Sequence, residues 1–447
     1  MTAIQFLADW QDGKGIKGAE LSATFASLRI DVRDQLLTYV IDDRAQTIRN
    51  SIFVPLYPVA EWLVTNWWFI KYESENPKKK TDPAFNQRHS WGATDGYALP
   101  DLTITPSGSQ THLTWSRRSA SRAKLAFLNE GRTIVDREQF MQDCADFIDK
   151  VTSRLLACGI ESTLLQDEWA AIQTTDEDES EFCALSAGLG WDPYDLDDAM
   201  QSHVVTLADQ LGPLSAEAVP AIDSSTPLKD CSAILETIRI ARTDGLHLPS
   251  GLPFIPDERS NGGPPWRDGY ELARRARSEL GLDGQPIQNT ELLAEVLGQS
   301  AATLKQKPRP VMPLERLALI DGVVTRDAEG GVSFGLKNRG QLGWRFLFCR
   351  ALAEAISGHG DALVTRGNTE RQQRNRAFAA EFLAPSASLG NKISDPVVDE
   401  EQVDDLAEEF GVSSWVISHQ IENHRIARVI QRAVEGLEVR LGSTSTR

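Results

Sequence analysis

Cys349, Glu354, His359 and Glu381 place a thiol, two carboxylates and an imidazole within one short stretch of chain, raw material for a metal site or a nucleophile. Their spacing works against both. Cys349 and Glu354 are five apart, as are Glu354 and His359, whereas side chains sharing a helix face lie three or four apart. His359 follows Gly358 and is expected beyond the helix end. Cys349 sits in the apolar run RFLFCRALAEAI and is expected to be inert packing. A second carboxylate group, Asp101, Glu130, Asp136 and Glu138, flanks strand-like segments in the manner of a metal-dependent nuclease core. The lysine such a core needs is missing, because LTWSRRS offers arginines, and solvated surface carboxylates are the plainer expectation. The run Asp176-Glu177-Asp178-Glu179 lacks the central glycine of a calcium loop and reads as a solvated loop.

Nearer the C-terminus, LAEEFGVSSWVISHQIEN fits a helix-turn-helix, with Ala407, Gly411 and Ile417 as its small, turn and apolar positions. Ser414, His419, Asn423 and Arg425 are its candidate DNA or partner contacts. The helix before it is acidic from Glu400 to Glu409, so packing is the expected main role and DNA the secondary one.

These groups sit in a chain of 447 residues, 41% hydrophobic and 25% charged, an ordinary globular balance that excludes disordered and collagen-like classes. The net charge of −18 argues against holding nucleic acid or anionic lipid by bulk electrostatics. Five scattered cysteines without a C-x-x-C pair fit a reducing cytoplasm rather than a disulfide framework or a cysteine zinc site. No signal peptide is expected, since Asp9, Asp12 and Lys14 interrupt any early apolar run. SIFVPLYPVAEWLVTNWWFI (51–70) contains Glu61, Asn66 and two prolines. It reads as a buried strand and helix carrying Trp62, Trp67 and Trp68 rather than a membrane span.

The elements that must position these groups predict an α+β fold. Residues 1–150 mix strand signals (36–42, 52–56 and a hairpin about Pro106-Ser107-Gly108) with an amphipathic helix over 137–160. Residues 151–243 read as a helical domain. DGLHLPSGLPFIPDERSNGGPP (244–265) reads as an inter-domain connector. Beyond it come helices over 270–282 and 289–298, two short strands about Gly330-Gly331, and helices over 344–358 and 375–385. The helical pair follows, with a flexible tail over 437–447.

This order, with the words ARRARSELGLDGQPIQNTELLAEVLG, the hairpin with Asp321-Gly322, RFLFCRALAEAI and FAAEFLAP, resembles the ImmA/IrrE family of zincin-like metallopeptidases over about 266–430. The 266–436 segment is thereby expected to be zincin-like, with a small sheet and a closing helical pair. The family writes its helix R-F-x-x-A-H-E-L-G-H, where two histidines four apart grip zinc and the glutamate between them polarises water. A third, acidic ligand comes from the next helix. Here Arg345-Phe346 matches the family's R-F, so the histidine positions fall on Arg350 and Glu354 and the base position on Ala351. The third-ligand position falls on Arg374. A guanidinium has no lone pair for a metal. No metal or other cofactor is therefore expected, and Glu354 is expected to be tied between Arg350 and Arg374 in a buried ionic knot. The resemblance then implies a non-catalytic regulator of a protein partner (a repressor, antitoxin or phage-associated protein) in stress response, toxin–antitoxin or phage-defence settings.

Overall fold

The computed structural model describes residues 2–75, 82–93, 96–120, 124–248, 252–256, 263–282, 284–300, 302, 304, 312–358 and 360–430. His359 and the 437–447 tail lie outside the described residues. The architecture is α+β, with several small, mostly antiparallel sheets. The chain forms two compact units. One comprises Met1–Leu235, Arg316–Ile320 and Thr365–Gln372, and the other Glu236–Glu315, Asp321–Val364 and Gln373–Arg447.

In the first unit, β1 (Ile4–Trp10), α1 (Ala19–Ala23), β2 (Phe25–Val32), β3 (Gln35–Leu36), β4 (Val40–Asp42), β5 (Thr47–Arg49) and β6 (Ile52–Pro55) come first. β2 is the hub of the first sheet. It pairs antiparallel with β1, Ile4 opposite Val32, while β3 and β6 share its other edge. Period-two alternation buries Ala26, Leu28, Ile30 and Val32 on one face. The 36–42 run, expected as one strand, is broken between β3 and β4. The buried Thr38 hydroxyl accepts from the Ile30 amide (3.1 Å) and donates to the Asn50 carbonyl (2.9 Å), which bends the chain.

Two helices follow, α2 (Tyr57–Thr65) and α3 (Trp67–Tyr72), and bury Trp67 and Trp68 as expected. Next are α4 (Pro83–His89), β7 (Asp101–Ser107), β8 (Gln110–Ser116), β9 (Arg118–Ala120), β10 (Leu125–Phe127) and β11 (Gly131–Asp136). The β7–β8 hairpin turns at Gly108, whose φ of 64° suits glycine. β5-β4-β10-β9 and β11-β8-β7 are separate sheets.

The helices α5 (Arg137–Ala157), α6 (Leu164–Thr174), α7 (Glu177–Leu189), α8 (Asp198–Leu211), α9 (Ser215–Ala218) and α10 (Pro227–Asp244) complete the series. Leu165, Trp169, Ile172, Cys183 and Ala187 share one core with the strands, so α6 and α7 pack with the first 150 residues rather than apart from them. The acidic run proves to be a helix start rather than a loop. Asp176 caps α7 by accepting from the Glu179 amide, and Glu177, Asp178 and Glu179 occupy the first turn, where the helix dipole favours negative charge.

The second unit has its own core. The expected connector begins instead as a strand, β12 (Leu246–Leu248), which pairs with a strand of the second unit. Apolar Leu246 and Leu248 are buried there, and Ile255 beyond it is buried with its amide donating to the Ile356 carbonyl at 2.8 Å. There follow α11 (Pro265–Glu279), α12 (Thr290–Val296), α13 (Met312–Arg316), β13 (Ile320–Arg326), β14 (Val332–Leu336), α14 (Gln341–Ser357) and β15 (Ala362–Thr365). The sheet order is β12-β14-β13-β15. Beyond it run α15 (Glu370–Leu383), α16 (Ser386–Lys392), β16 (Val397–Asp399), α17 (Glu400–Phe410), α18 (Ser414–Asn423) and β17 (Arg428–Ile430), the last strand parallel to β16. No helix among the described residues is long and apolar enough to cross a membrane.

Gly411 joins α17 to α18 at a φ of 61°, and a Cβ there would clash with the Gln288 carbonyl oxygen. Gly298 has a similar φ of 65° but open space around it. Gly298→Ala is expected to cost about 1 kcal/mol, the conformational penalty alone, and Gly411→Ala clearly more. Urea unfolding of both variants checks this, and equal losses would remove the steric argument.

Candidate functional site

Three of the four positions compared above with a zinc site lie on α14, and the fourth, Arg374, lies on α15. From Leu347 to Ser357 every residue of α14 is buried. An apolar run this continuous makes a helix submerged on all sides rather than a striped surface helix. Arg345, Arg350 and Glu354 are its charged residues, and each needs a partner inside the protein.

Glu354 is 3% exposed and Arg374 is 8% exposed. Arg374 Nη2 donates to Glu354 Oε1 at 3.1 Å, and Asn375 Nδ2 donates to the same oxygen at 2.6 Å. Asn375 Oδ1 in turn lies 3.3 and 3.4 Å from two guanidinium nitrogens of Arg374. The three side chains clamp α14 to α15. Arg326 of β13 approaches from the sheet, donating to the main-chain carbonyls of Glu354 and Ala355. Burial lowers the Arg326 guanidinium pKa, and the Glu354 carboxylate opposes that shift.

Arg350 makes an ion pair with Asp321 of β13, at 3.8 Å. Asp321 also accepts from Arg339 Nη2 at 2.6 Å. Arg374 joins Glu354 as anticipated, and Arg350 pairs with a carboxylate that the sequence reading attached only to a hairpin. Ala351 is fully buried and offers no proton acceptor.

This donor set does not suit a divalent cation. The carboxylate oxygen best placed to ligate is already held by a guanidinium and an amide, and arginines fill the remaining positions. Among the described residues no three histidine, cysteine or carboxylate groups gather to hold a metal. Cys349 offers no thiolate either. Burial pushes its thiol up to about 12, against the opposing pull of Arg345 and Arg277. Asp101 and Asp136 sit at opposite ends of β8, facing Ser116 and Gln110, roughly 20 Å apart at strand rise. They do not form one carboxylate cluster, and Asp136 serves as the N-cap of α5. Glu130 pairs with Arg117 at 3.4 Å and Glu138 with Arg137 at 3.1 Å, both carboxylates well exposed.

The sequence flagged Glu381 only as a nearby carboxylate. In the structure it is 1% exposed and joins four helices. It accepts from Arg274 Nε of α11 (3.0 Å), from the Ser386 hydroxyl (2.9 Å) and amide of α16, and from Gln420 Nε2 of α18 (2.9 Å). His424 Nε2 lies 3.4 Å away. Burial alone would raise its pKa; His424, Arg274 and Ser386 outweigh that and hold it at about 2.

The small, turn and apolar positions of 406–423 fall on two consecutive helices, with Ala407 and Ile417 buried and Gly411 between α17 and α18. Its four candidate contacts have internal roles or constraints. Ser414 Oγ donates to Asp404 at 2.5 Å, His419 lies 4.0 Å ring to ring from Trp415, and Asn423 donates to the Tyr270 hydroxyl at 3.3 Å. Arg425 adopts the left-handed conformation just past the helix. Between α14 and α18 opens a groove of about 210 Å3, lined by Asp321, Arg339 and Arg350 at one side and by Leu342, Phe346, Val416 and Trp415 at another.

Comparison of the chain with protein-family models, with curated proteins and with solved structures finds no match in any of the three.

Two measurements test these networks. Glu354→Leu and Arg374→Leu are each expected to destabilise by roughly 3–5 kcal/mol, because each strands a buried charge. The double variant should lose clearly less than the sum, and simple additivity in urea unfolding would show the pair to be uncoupled. Glu381 has a folded pKa below its ordinary value, so its stabilisation is complete above about 4.5 and fades as pH falls towards about 2. The shift corresponds to about 3 kcal/mol. Glu381→Gln should flatten the drop in stability between pH 6 and pH 3, and an unchanged slope would deny the network its charge.

Proposed function

We propose that this chain is a non-catalytic, protein-binding regulator built on a zincin-like frame. One observation carries the reading. Where a zinc ion and its polarised water would stand, a buried guanidinium, carboxylate and amide bond one another, and alanine fills the base position. Peptide hydrolysis by the family's route needs an open coordination position and a proton acceptor, and these residue types supply neither. In this reading the frame binds a protein partner without cutting it. The resemblance suggests a repressor, antitoxin or phage-associated protein, in bacterial stress response, toxin–antitoxin or phage defence. A cytoplasmic setting belongs to the same proposal and rests on the scattered, unpaired cysteines.

A second reading, a DNA-binding regulator acting through 406–425, draws support from the α17–turn–α18 geometry. Against it stand the carboxylates of α17 and the internal hydrogen bond of Asn423. Salt-dependent retention on duplex DNA that is lost in the Asn423→Ala, Arg425→Ala double variant would favour it over the first.

Metal analysis decides the leading reading. The purified chain is expected to carry far less than one zinc per molecule. A variant with Arg350→His, Ala351→Glu, Glu354→His and Arg374→Glu should gain about one if the frame is zincin-like. Stoichiometric zinc in the natural chain would overturn the non-catalytic reading. A folded four-fold variant that takes up none would overturn the frame.

A further inference from the structure

We propose that His89 is a proton-operated latch: doubly protonated, it ties α4 to α3 and β7, and loss of one proton releases α4. This device lies within the first unit and stands apart from the reading of the chain as a protein binder.

The surroundings of the ring fix its protons. His89 ends α4 and is fully buried, stacked on Phe85 one turn earlier with ring centroids 4.0 Å apart. Its Nδ1 lies 2.7 Å from the Ile104 carbonyl oxygen of β7, which carries no hydrogen, so Nδ1 donates. Its Nε2 lies 3.2 Å from Oε2 of Glu73, the fully buried residue that closes α3. Arg88 Nε and Nη2 donate to the two oxygens of that carboxyl group at 2.8 and 2.7 Å, the fork that an ionised carboxylate accepts. An ionised carboxylate has no proton to give, so Nε2 donates as well. A ring that donates from both nitrogens is an imidazolium.

Glu73 and Arg88 are thus the charged groups that meet the ring from α3 and α4. Lys71 of α3 is engaged with Glu138 at 3.9 Å, Asp82 caps the far end of α4, and Asp101 of β7 accepts from Ser116. Without its Nε2 proton the ring would turn a lone pair on the Glu73 carboxylate in a fully buried site, and attraction would become repulsion. The tie is therefore complete in mild acid and is lost as pH rises, in the range where histidine changes charge. Release uncovers Phe85 and the face of Phe69 that Arg88 covers at 4.7 Å, both rings being buried in the latched form.

The test is hydrogen exchange of the full-length protein at about pH 5.5 and about pH 8.5, read by mass spectrometry with the intrinsic pH dependence of amide exchange divided out. Amides of 86–90 are expected to lose protection about tenfold at the higher pH, while those of α5 keep theirs. In His89→Gln and in Glu73→Gln the difference should vanish. The first has no titrating ring, and the amide of the second can donate to a neutral ring or accept from a charged one. Equal protection at both pH values, an equal loss in α5, or a loss that persists in either folded variant would overturn the latch. The natural protein alone supplies the first two of these outcomes, so the test does not depend on the variants folding.

Discussion

A buried stretch of helix cannot tolerate a charge that has no counterpart inside the protein, and α14, buried at Arg345 and from Leu347 to Ser357, carries three there. Transfer of an isolated ion into such surroundings is prohibitive, so the architecture about α14 follows from where its charges are met. Arg350 and Glu354 stand about 40° apart around the helix, while Arg345 lies about 140° from Arg350, at the usual 100° per residue. The first two therefore face β13 and α15, and Arg345 faces the other way. There, 1% exposed, it donates to the carbonyls of Ile287, Gln288 and Gly411.

That second direction explains how an irregular stretch is held without regular secondary structure. The carbonyls of Leu282, Gln285, Ile287 and Gln288 lie between α11 and α12, and a buried carbonyl without a donor is costly. Arg277 of α11 supplies Leu282 and Gln285 and also reaches Phe382 on α15, while Arg345 supplies Ile287 and Gln288. Burial pulls the Arg277 guanidinium down to about 10, which still leaves it charged at neutral pH. The Gly411 carbonyl shares Arg345 with this stretch, so the turn between α17 and α18 is fixed through one guanidinium.

Much of the second unit was legible because its signals are local. Asn289 accepts from the Leu292 amide as N-cap of α12, Gly298 adopts a positive φ after it, and the strands about Gly330-Gly331 form as an antiparallel pair. The expected pairing of Glu354 with Arg374 is also present. What the sequence withheld is long-range. Nothing near Asp321 announces that it meets Arg350 and Arg339, and Asn375 is one more polar residue on a helix until α15 is laid against α14. The acidic run failed for a different reason. A cluster of carboxylates looks like solvent-exposed loop, yet the same residues favour a helix N-terminus, and the apolar residues that decide between them lie further on, in α7.

A buried ion pair is a poor route to stability, since well-packed apolar side chains of similar size often do as well or better. The Arg374–Glu354–Asn375 group is thus better understood by what it specifies than by what it stabilises. Leucines at those positions would let α15 slide or rotate against α14 at little penalty, whereas a guanidinium fork and an amide converging on one carboxylate oxygen accept a single register. Glu381 lies about two turns beyond Arg374 along the same helix, and there meets Gln420 and His424 of the closing pair. α15 is thus tied to α14 at one end and to α18 at the other, and α18 supplies one wall of the groove whose other wall is α14.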